Sequence, residues 1–296
     1  MGKAGYVAVD WGTSSFRLWL MDRAGAVMDE RRSSEGMMVA SKLGFAAVLQ
    51  SHLDAVGAGN DLPVVICGMA GARQGWVEAG YIDTPAQLAA ILSGAVAAPG
   101  LSRDVRILPG IAQRDPDAPD VMRGEETQIC GVLAELSAQP QTVCLPGTHS
   151  KLATVANGRV ERFATAMTGE LFELLCSHSV LGRLMQPGEH EADAFAQGVA
   201  HAAQAGDLLH HLFAVRTLGL FDALRPTQLR PFLSGLLIGH ELRSVPRQSG
   251  VVYVLGAEAL AHLYVHALRT QGYEPRLLDP DAVVTGLSRL ASLARA

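Results

Sequence analysis

The stretch VAVDWGTSSFRLWL at residues 7–20 returns in altered form as VCLPGTHSKLATV at 143–155, and this repetition organises the whole chain. Residues 6–10 form an apolar run ending in an acid. Residues 16–21 alternate, with Phe16, Leu18 and Leu20 on one face and Arg17, Trp19 and Met21 on the other. The small residues between them form a turn, so the segment reads as a hairpin, and Ala24-Gly25 continues it into a third strand around 27–31. In the second copy Gly147-Thr148 stands for Gly12-Thr13 and Asn157-Gly158 for Ala24-Gly25, at separations of 135 and 133 residues. Two related domains, each opening with strand–turn–strand, account for this better than coincidence. No low-complexity linker follows Gln139-Pro140, so the expected boundary is a hinge near 138–142, dividing the chain into domains 1–139 and 140–296.

The remaining pattern is mixed α/β. Segments 64–68 and 105–109 read as buried strands. Segment 125–136 reads as an amphipathic helix carrying Ile129, Val132, Leu133 and Leu136 on one face. Helices are expected over 168–184, 192–203, 231–242 and 259–268, and strands over 251–255 and 276–278. Ser234-Gly235 and Ile238-Gly239 would let the third of these helices approach a neighbour closely. A last helix, capped by Asp279 or Asp281, carries Val283, Leu287, Leu290 and Ala294.

At 296 residues with 49% hydrophobic content, the chain can bury two cores. Its 24 Lys+Arg against 29 Asp+Glu form no concentrated basic stripe, so nucleic acid is not an expected partner. Cys67, Cys130, Cys144 and Cys176 sit in apolar runs without CxxC spacing, as buried thiols of a reducing compartment do. The N-terminus has no apolar signal region, and Pro99 interrupts the small-residue stretch 88–101, so a cytoplasmic protein without a membrane segment is expected. Nothing in the sequence speaks to an oligomeric state.

Four segments could carry chemistry. In the first, Gly12, Thr13, Ser14 and Ser15 would free backbone N–H groups for an anion. Asp10, ending a buried strand, would hold hydrated Mg²⁺, and Arg17 would add charge against phosphates. A P-loop is excluded because a strand follows the turn and no GK[ST] is present. Taken alone, this segment is equally an ordinary hairpin turn. In the second, Gly147, Thr148, His149, Ser150 and Lys151 repeat the turn, and two such turns facing each other would grip one polyphosphate. The third is Gly256-Ala257, a strand end before a helix, which suits a nucleobase or ribose but is common to any α/β unit. The fourth is Glu125-Glu126 at a helix start, where a kinase acting on a hydroxyl needs a proton acceptor. The helix dipole alone also favours acids there. His190 among Glu189, Glu191 and Asp193 lacks HExxH spacing and reads as a solvated helix start; His201, His210 and His211 read as helix-surface residues.

The motifs GMAGARQGW (68–76), VMRGEETQ (121–128), LPGTHSK (145–151), TAMTGELFELL (165–175), ADAFAQG (192–198) and FLSGLLIGHEL, with the opening hairpin and the Gly256 segment, together resemble the 2-dehydro-3-deoxygalactonokinase family. That family belongs to the acetate and sugar kinase, heat-shock chaperone and actin superfamily. The resemblance runs from Tyr6 to Ala294 with the segments in family order; loop 77–83 is the least typical, with Gly80 where relatives often carry proline. It implies two actin-like (ribonuclease H-like) α/β domains with an interdomain nucleotide cleft. It also implies ATP-dependent phosphorylation of 2-dehydro-3-deoxy-D-galactonate at its 6-hydroxyl, in galactose or galactonate catabolism. An anionic sugar acid calls for a guanidinium, and Arg73 and Arg123 stand beside the family motifs. The expected substrate contacts are Gly68, Met69, Arg73, Gln74, Trp76 and Arg123. Lys151 is next in line for the carboxylate. Rival readings are an exopolyphosphatase-type phosphohydrolase and a non-catalytic ATP-binding regulator; an acyl-substrate kinase would not need the acidic pair.

Overall fold

The computed structural model describes residues 3–247 and 249–293. Among these, residues 3–140, 155–163 and 281–293 form one compact unit, and Gln141–Thr154 with Ala164–Pro280 form the other. The sequence places 140–296 in a single domain; in the structure the segments 155–163 and 281–293 group with the first unit instead.

The first unit opens with β1 (Ala4–Trp11), β2 (Phe16–Asp22) and β3 (Val27–Ser33), an antiparallel meander. After α1 (Met37–Leu43) and α2 (Phe45–Ala55), β4 (Val64–Gly68) returns parallel to β1. Short strands follow: β5 (Tyr81–Asp83), β6 (Ala86–Gln87), β7 (Val96–Ala97), β8 (Val105–Ile107), β9 (Gly110–Gln113) and β10 (Asp120–Met122). They lead into α3 (Glu125–Val132). The main sheet has the order β3-β2-β1-β4-β8-β7, and β10-β9-β5 form a small second sheet. That small sheet was not foreseen, because each of its strands is too short to show an alternating pattern.

Both faces of the main sheet are covered. Val7, Val9, Trp11, Phe16 and Leu18 pack on Val48, Leu49 and Leu53 of α2. Trp19 and Met21, on the other face of β2, are buried too, and the final helix packs on β1 and β4. A strand buried on both faces loses the simple in–out alternation. Each large side chain so buried stabilises by about 1.5–3 kcal/mol. β3 is the exposed edge, and its Asp29-Glu30-Arg31-Arg32 run guards it against pairing with another chain.

The second unit repeats the plan. β11 (Gln141–Leu145), β12 (Ser150–Ala156) and β13 (Arg159–Ala166) precede α4 (Thr168–His178), α5 (Ala192–Ala202), α6 (Leu208–Leu220) and α7 (Leu229–Glu241). β14 (Val251–Val254), α8 (Glu258–Thr270) and β15 (Glu274–Leu277) complete it. The sheet order is β15-β14-β11-β12-β13-β6, with β11, β14 and β15 parallel. Residues Arg159 and Val160 of β13, in the segment that groups with the first unit, pair with Gln87 and Ala86 of β6. Counting from each hairpin, both main sheets run third, second, first, fourth, continued by β8 in one and β15 in the other. The chain has the two-domain actin-like α/β fold expected from the resemblance.

Glycine pairs set the helix contacts. In the first unit, α9 (Ala282–Leu293) crosses α3 so closely that a Cβ on Gly131 would lie 1.9 Å from the Ala282 carbonyl oxygen, and one on Gly286 would lie 1.9 Å from that of Thr127. In the second, Gly198 meets the Phe232 backbone and Gly235 that of Phe195, so the expected close approach at 234–235 is present between α5 and α7. Ala294 lies outside the described residues. Among the described residues no helix is long and apolar enough to cross a membrane.

Candidate active site

In the first unit the carboxyl ends of β1 and β4 lie side by side, Asp10 beside Cys67 and Trp11 beside Gly68. Asp10 also faces Arg17 across the β1–β2 ladder. Arg17 Nη2 donates to Asp10 Oδ2 at 2.5 Å and Nε to the same oxygen at 3.2 Å. Arg17 therefore orients the aspartate, and the expected free charge toward phosphates is spent on it. Asp10 Oδ1 meets the Cys67 thiol at 3.8 Å. Burial and the Asp10 charge push the Cys67 pKa well up, so this thiol stays protonated as a donor. Gly68 makes the close approach possible. Its φ is +90°, and a Cβ there would sit 2.6 Å from the Trp11 carbonyl oxygen.

Between Asp10 and Arg17 the turn closes with Gly12 N–H donating to the Ser15 carbonyl at 2.8 Å. Thr13, Ser14 and Ser15 are exposed, and among the described residues their amides have no backbone acceptor. Met37 and Met38 donate to the Gly12 and Thr13 carbonyls and hold the turn from behind. Turn amides left without a backbone acceptor are what an anion cradle requires.

The acidic pair begins α3, directly after Gly124, whose φ is +108°. A Cβ on Gly124 would come 3.7 Å from Gly68 Cα, so the helix start abuts the end of β4. Glu126 is 1% exposed. Its Oε2 accepts the Gly124 amide at 2.7 Å and its Oε1 accepts the Thr127 hydroxyl at 3.0 Å. Burial, helped by the neighbouring Glu125 charge, raises its pKa to about 7. Glu125 is half-buried, and its Oε2 accepts the Arg123 amide at 3.0 Å.

The expected substrate residues divide. Arg123 is committed to main chain: Nη2 donates to Ala79 O at 2.6 Å and Gly80 O at 3.3 Å, Nη1 reaches Leu108 O at 3.5 Å, and the guanidinium stacks 4.5 Å over Tyr81. It anchors a loop, which corrects the expected carboxylate grip. Trp76 stacks on Phe45 at 6.0 Å and meets Trp11 edge-on at 6.2 Å, so it packs against the core. Arg73 is exposed, 3.6 Å from Glu78; Gln74 is exposed, and Met69 begins a short turn beside Gly68.

In the second unit, Gly147, Thr148 and His149 follow β11. The amides of Thr148 and His149 have no backbone acceptor among the described residues, as in the first turn. Gly256 lies beside the turn, a Cβ there standing 3.2 Å from the Pro146 carbonyl oxygen, with Ala257 exposed at the start of α8. Gly169 packs on Gly147 and Thr148, and Glu170 of α4 pairs with the His149 imidazole. Lys151 is buried and donates to the His149 carbonyl at 2.9 Å, so it braces the turn from within and is not the exposed phosphate or carboxylate contact expected of it. A cavity of about 280 Å³, lined by Gly147, Thr168, Phe172, Arg230, Leu260 and Tyr264 among others, opens within this unit.

The sequence reading missed Thr168, Glu170, Glu241 and Tyr264, although each falls in or beside a family motif. It also misplaced His211, which is buried with Nδ1 2.9 Å from His240 Nε2. Among the described residues, no group of three or more His, Cys, Asp or Glu is placed to hold a metal.

Residues 10–290 match the family model of 2-keto-3-deoxy-galactonokinase. A protein of Rhizobium meliloti (strain 1021), named "Probable 2-dehydro-3-deoxygalactonokinase", is 50% identical over 298 residues, covering 97% of this chain and 96% of that protein. The 2-dehydro-3-deoxygalactonokinase of Escherichia coli (strain K12) is 34% identical over 293 residues, covering 97% of this chain and 98% of its own length. A Sinorhizobium meliloti crystal structure designated as a 2-dehydro-3-deoxygalactonokinase superposes with a TM-score of 0.91 at 48% identity, over 97% of this chain and 98% of that one.

Proposed function

This chain belongs to the 2-keto-3-deoxy-galactonokinase family, and from that premise we propose that it transfers the γ-phosphoryl group of ATP to the 6-hydroxyl of 2-dehydro-3-deoxy-D-galactonate. The observation that carries the mechanism is the meeting of Asp10, Gly68 and the start of α3 at one end of the first unit's sheet. Ligands of open α/β sheets bind beyond the carboxyl ends of the strands.

Glu125 is the proton acceptor in this reading. It is the member of the acidic pair with solvent access, whereas Glu126 spends both oxygens on its own helix start. As the hydroxyl oxygen bonds to the γ-phosphorus, its proton passes to Glu125, the bond to the β–γ bridging oxygen breaks, and ADP leaves. Positive charge for the carboxylate comes from Arg73, now that Arg123 is committed elsewhere. In the second unit the amides of Thr148 and His149 bind phosphate oxygens and Gly256-Ala257 takes the nucleoside, and in the first the amides of Thr13 and Ser14 are open to phosphate oxygens as well.

Asp10 fits Mg²⁺. One oxygen is fixed by Arg17 and the other is opposed only by a thiol among the described residues, which suits a cation that takes one or two carboxylates and otherwise waters and phosphate oxygens. When bound, Mg²⁺ supplies charge neutralisation at the phosphate oxygens. The phosphohydrolase and regulator readings are not favoured, since the near full-length relatives are kinases.

The test is product analysis. The chain, Mg-ATP and the sugar acid should give ADP and a monoester whose phosphorus couples to the C6 protons in NMR spectra. Phosphate at another carbon would overturn the regiochemistry, and no monoester at all would overturn the substrate.

A further inference from the structure

The second unit contains a buried carboxylate that the proposed chemistry does not use. Glu241, the last residue of α7, receives the Tyr264 hydroxyl on Oε2 at 2.6 Å and the Thr168 hydroxyl on the same oxygen. Tyr264, from α8, lies 2.8 Å from Ser150 Oγ, which is fully buried. Ser150 Oγ in turn lies 3.4 Å from both the amide nitrogen and the carbonyl oxygen of Gly147.

Two segments therefore meet on one carboxylate oxygen, the start of α4 and the helix that follows Gly256, and the turn after β11 joins them through Ser150 and Tyr264. Because Glu241 Oε2 accepts from Tyr264, the Tyr264 oxygen is left to accept from Ser150, and Ser150 to accept from Gly147 N–H. Donation then runs in one direction, from the turn inward to Glu241. The Gly147 amide faces Ser150 Oγ, and the Thr148 and His149 amides have no backbone acceptor among the described residues.

Burial of this carboxylate is costly. It raises the Glu241 pKa against the bonds from Thr168 and Tyr264, and burial and the Glu241 charge together raise that of Tyr264. Apolar side chains of the same volume would stabilise the core at least as well, so stability alone does not explain the choice. A fully satisfied polar network fixes geometry where apolar packing leaves freedom.

We infer that Glu241 is the positioning residue for the Gly147–Ser150 turn, setting which backbone amides are offered to phosphate. This rests on the reading of that turn as a phosphate site. Glu241 also fixes the start of α4 through Thr168, and Gly169 and Glu170 there pack on and pair with the same turn.

Calorimetric affinities of the full chain for Mg-ATP and for adenosine test the inference without relying on turnover. The wild type should bind ATP at least about 10-fold more tightly than adenosine, since charge-assisted bonds are the stronger ones. Glu241→Ala should weaken ATP by about 10- to 100-fold and leave adenosine within about 2-fold, while Glu241→Gln, which keeps an acceptor, recovers part of the loss. Tyr264→Phe and Thr168→Val, which delete one hydroxyl each, decide the matter if Glu241→Ala does not fold. Folded variants that keep the wild-type ratio of ATP to adenosine affinity would overturn the inference and leave the phosphate reading standing. A wild-type ratio near one would overturn both.

Discussion

The carboxylate of Glu126 accepts the amide of Gly124 at 2.7 Å, closing the start of α3 on itself, and this separates two adjacent acids that the sequence leaves equivalent. Glu126 holds the helix start, and Glu125 remains half-exposed beside it. Glu125→Gln should lower kcat by about 10²–10⁴-fold with little change in KM for ATP. Glu126→Gln, which keeps an acceptor for Gly124, should lower kcat by less than about 10-fold. Steady-state kinetics on both variants check the division. The reverse ranking would make Glu126 the base.

Glu126 also makes stability depend on pH. Its pKa rises from 4.5 to about 7 on folding, so between those values the folded chain holds a proton that the unfolded chain releases. Its contribution is full below pH 4.5 and is lost as pH rises through about 7, a change of about 3 kcal/mol. Chemical unfolding of wild type and Glu126→Gln at pH 5 and pH 8 should show the wild type losing ground to the variant on the alkaline side. Parallel behaviour of the two chains would contradict the shifted group.

Asp10→Asn keeps the size of the side chain but loses the charge that Arg17 neutralises and that a divalent cation needs. The far-ultraviolet circular dichroism should be unchanged and kcat should fall by about 10²-fold or more. Unchanged turnover would remove Asp10 from the site.

Arg73 and Arg123 should now behave differently. Arg123→Ala takes the donor from the Ala79 carbonyl, leaving Gly80 O with the Gly110 amide alone, and should cost about 2–3 kcal/mol of unfolding free energy. Arg73→Ala, at an exposed position, should change stability by less than about 0.5 kcal/mol. It should raise KM for the sugar acid by about 10-fold or more while KM for ATP holds. Denaturant titrations together with the two KM values distinguish the cases.

The hairpins were legible because their alternation is local: Phe16 and Leu18 need only the adjacent strands to declare a face. The repeat was legible because Gly-Thr turns tolerate few substitutes. What the sequence hid depends on distant partners. Arg123 looks like an anion ligand until Ala79 and Gly80, some forty residues away, are seen to take its donors. Lys151 reads as a phosphate or carboxylate contact until its burial on β12 and its bond to the His149 carbonyl are seen. The Glu241–Tyr264–Ser150 network joins residues 23 and 114 positions apart, and no short motif could have announced it.

The central claim is that phosphoryl transfer from ATP depends on the sugar acid, and the rate of ADP formation with and without 2-dehydro-3-deoxy-D-galactonate tests it most directly. ADP should appear only when the acid is present, in equal amounts with the phosphorylated acid and with no orthophosphate. ADP and orthophosphate released at the same rate without the acid would contradict the account.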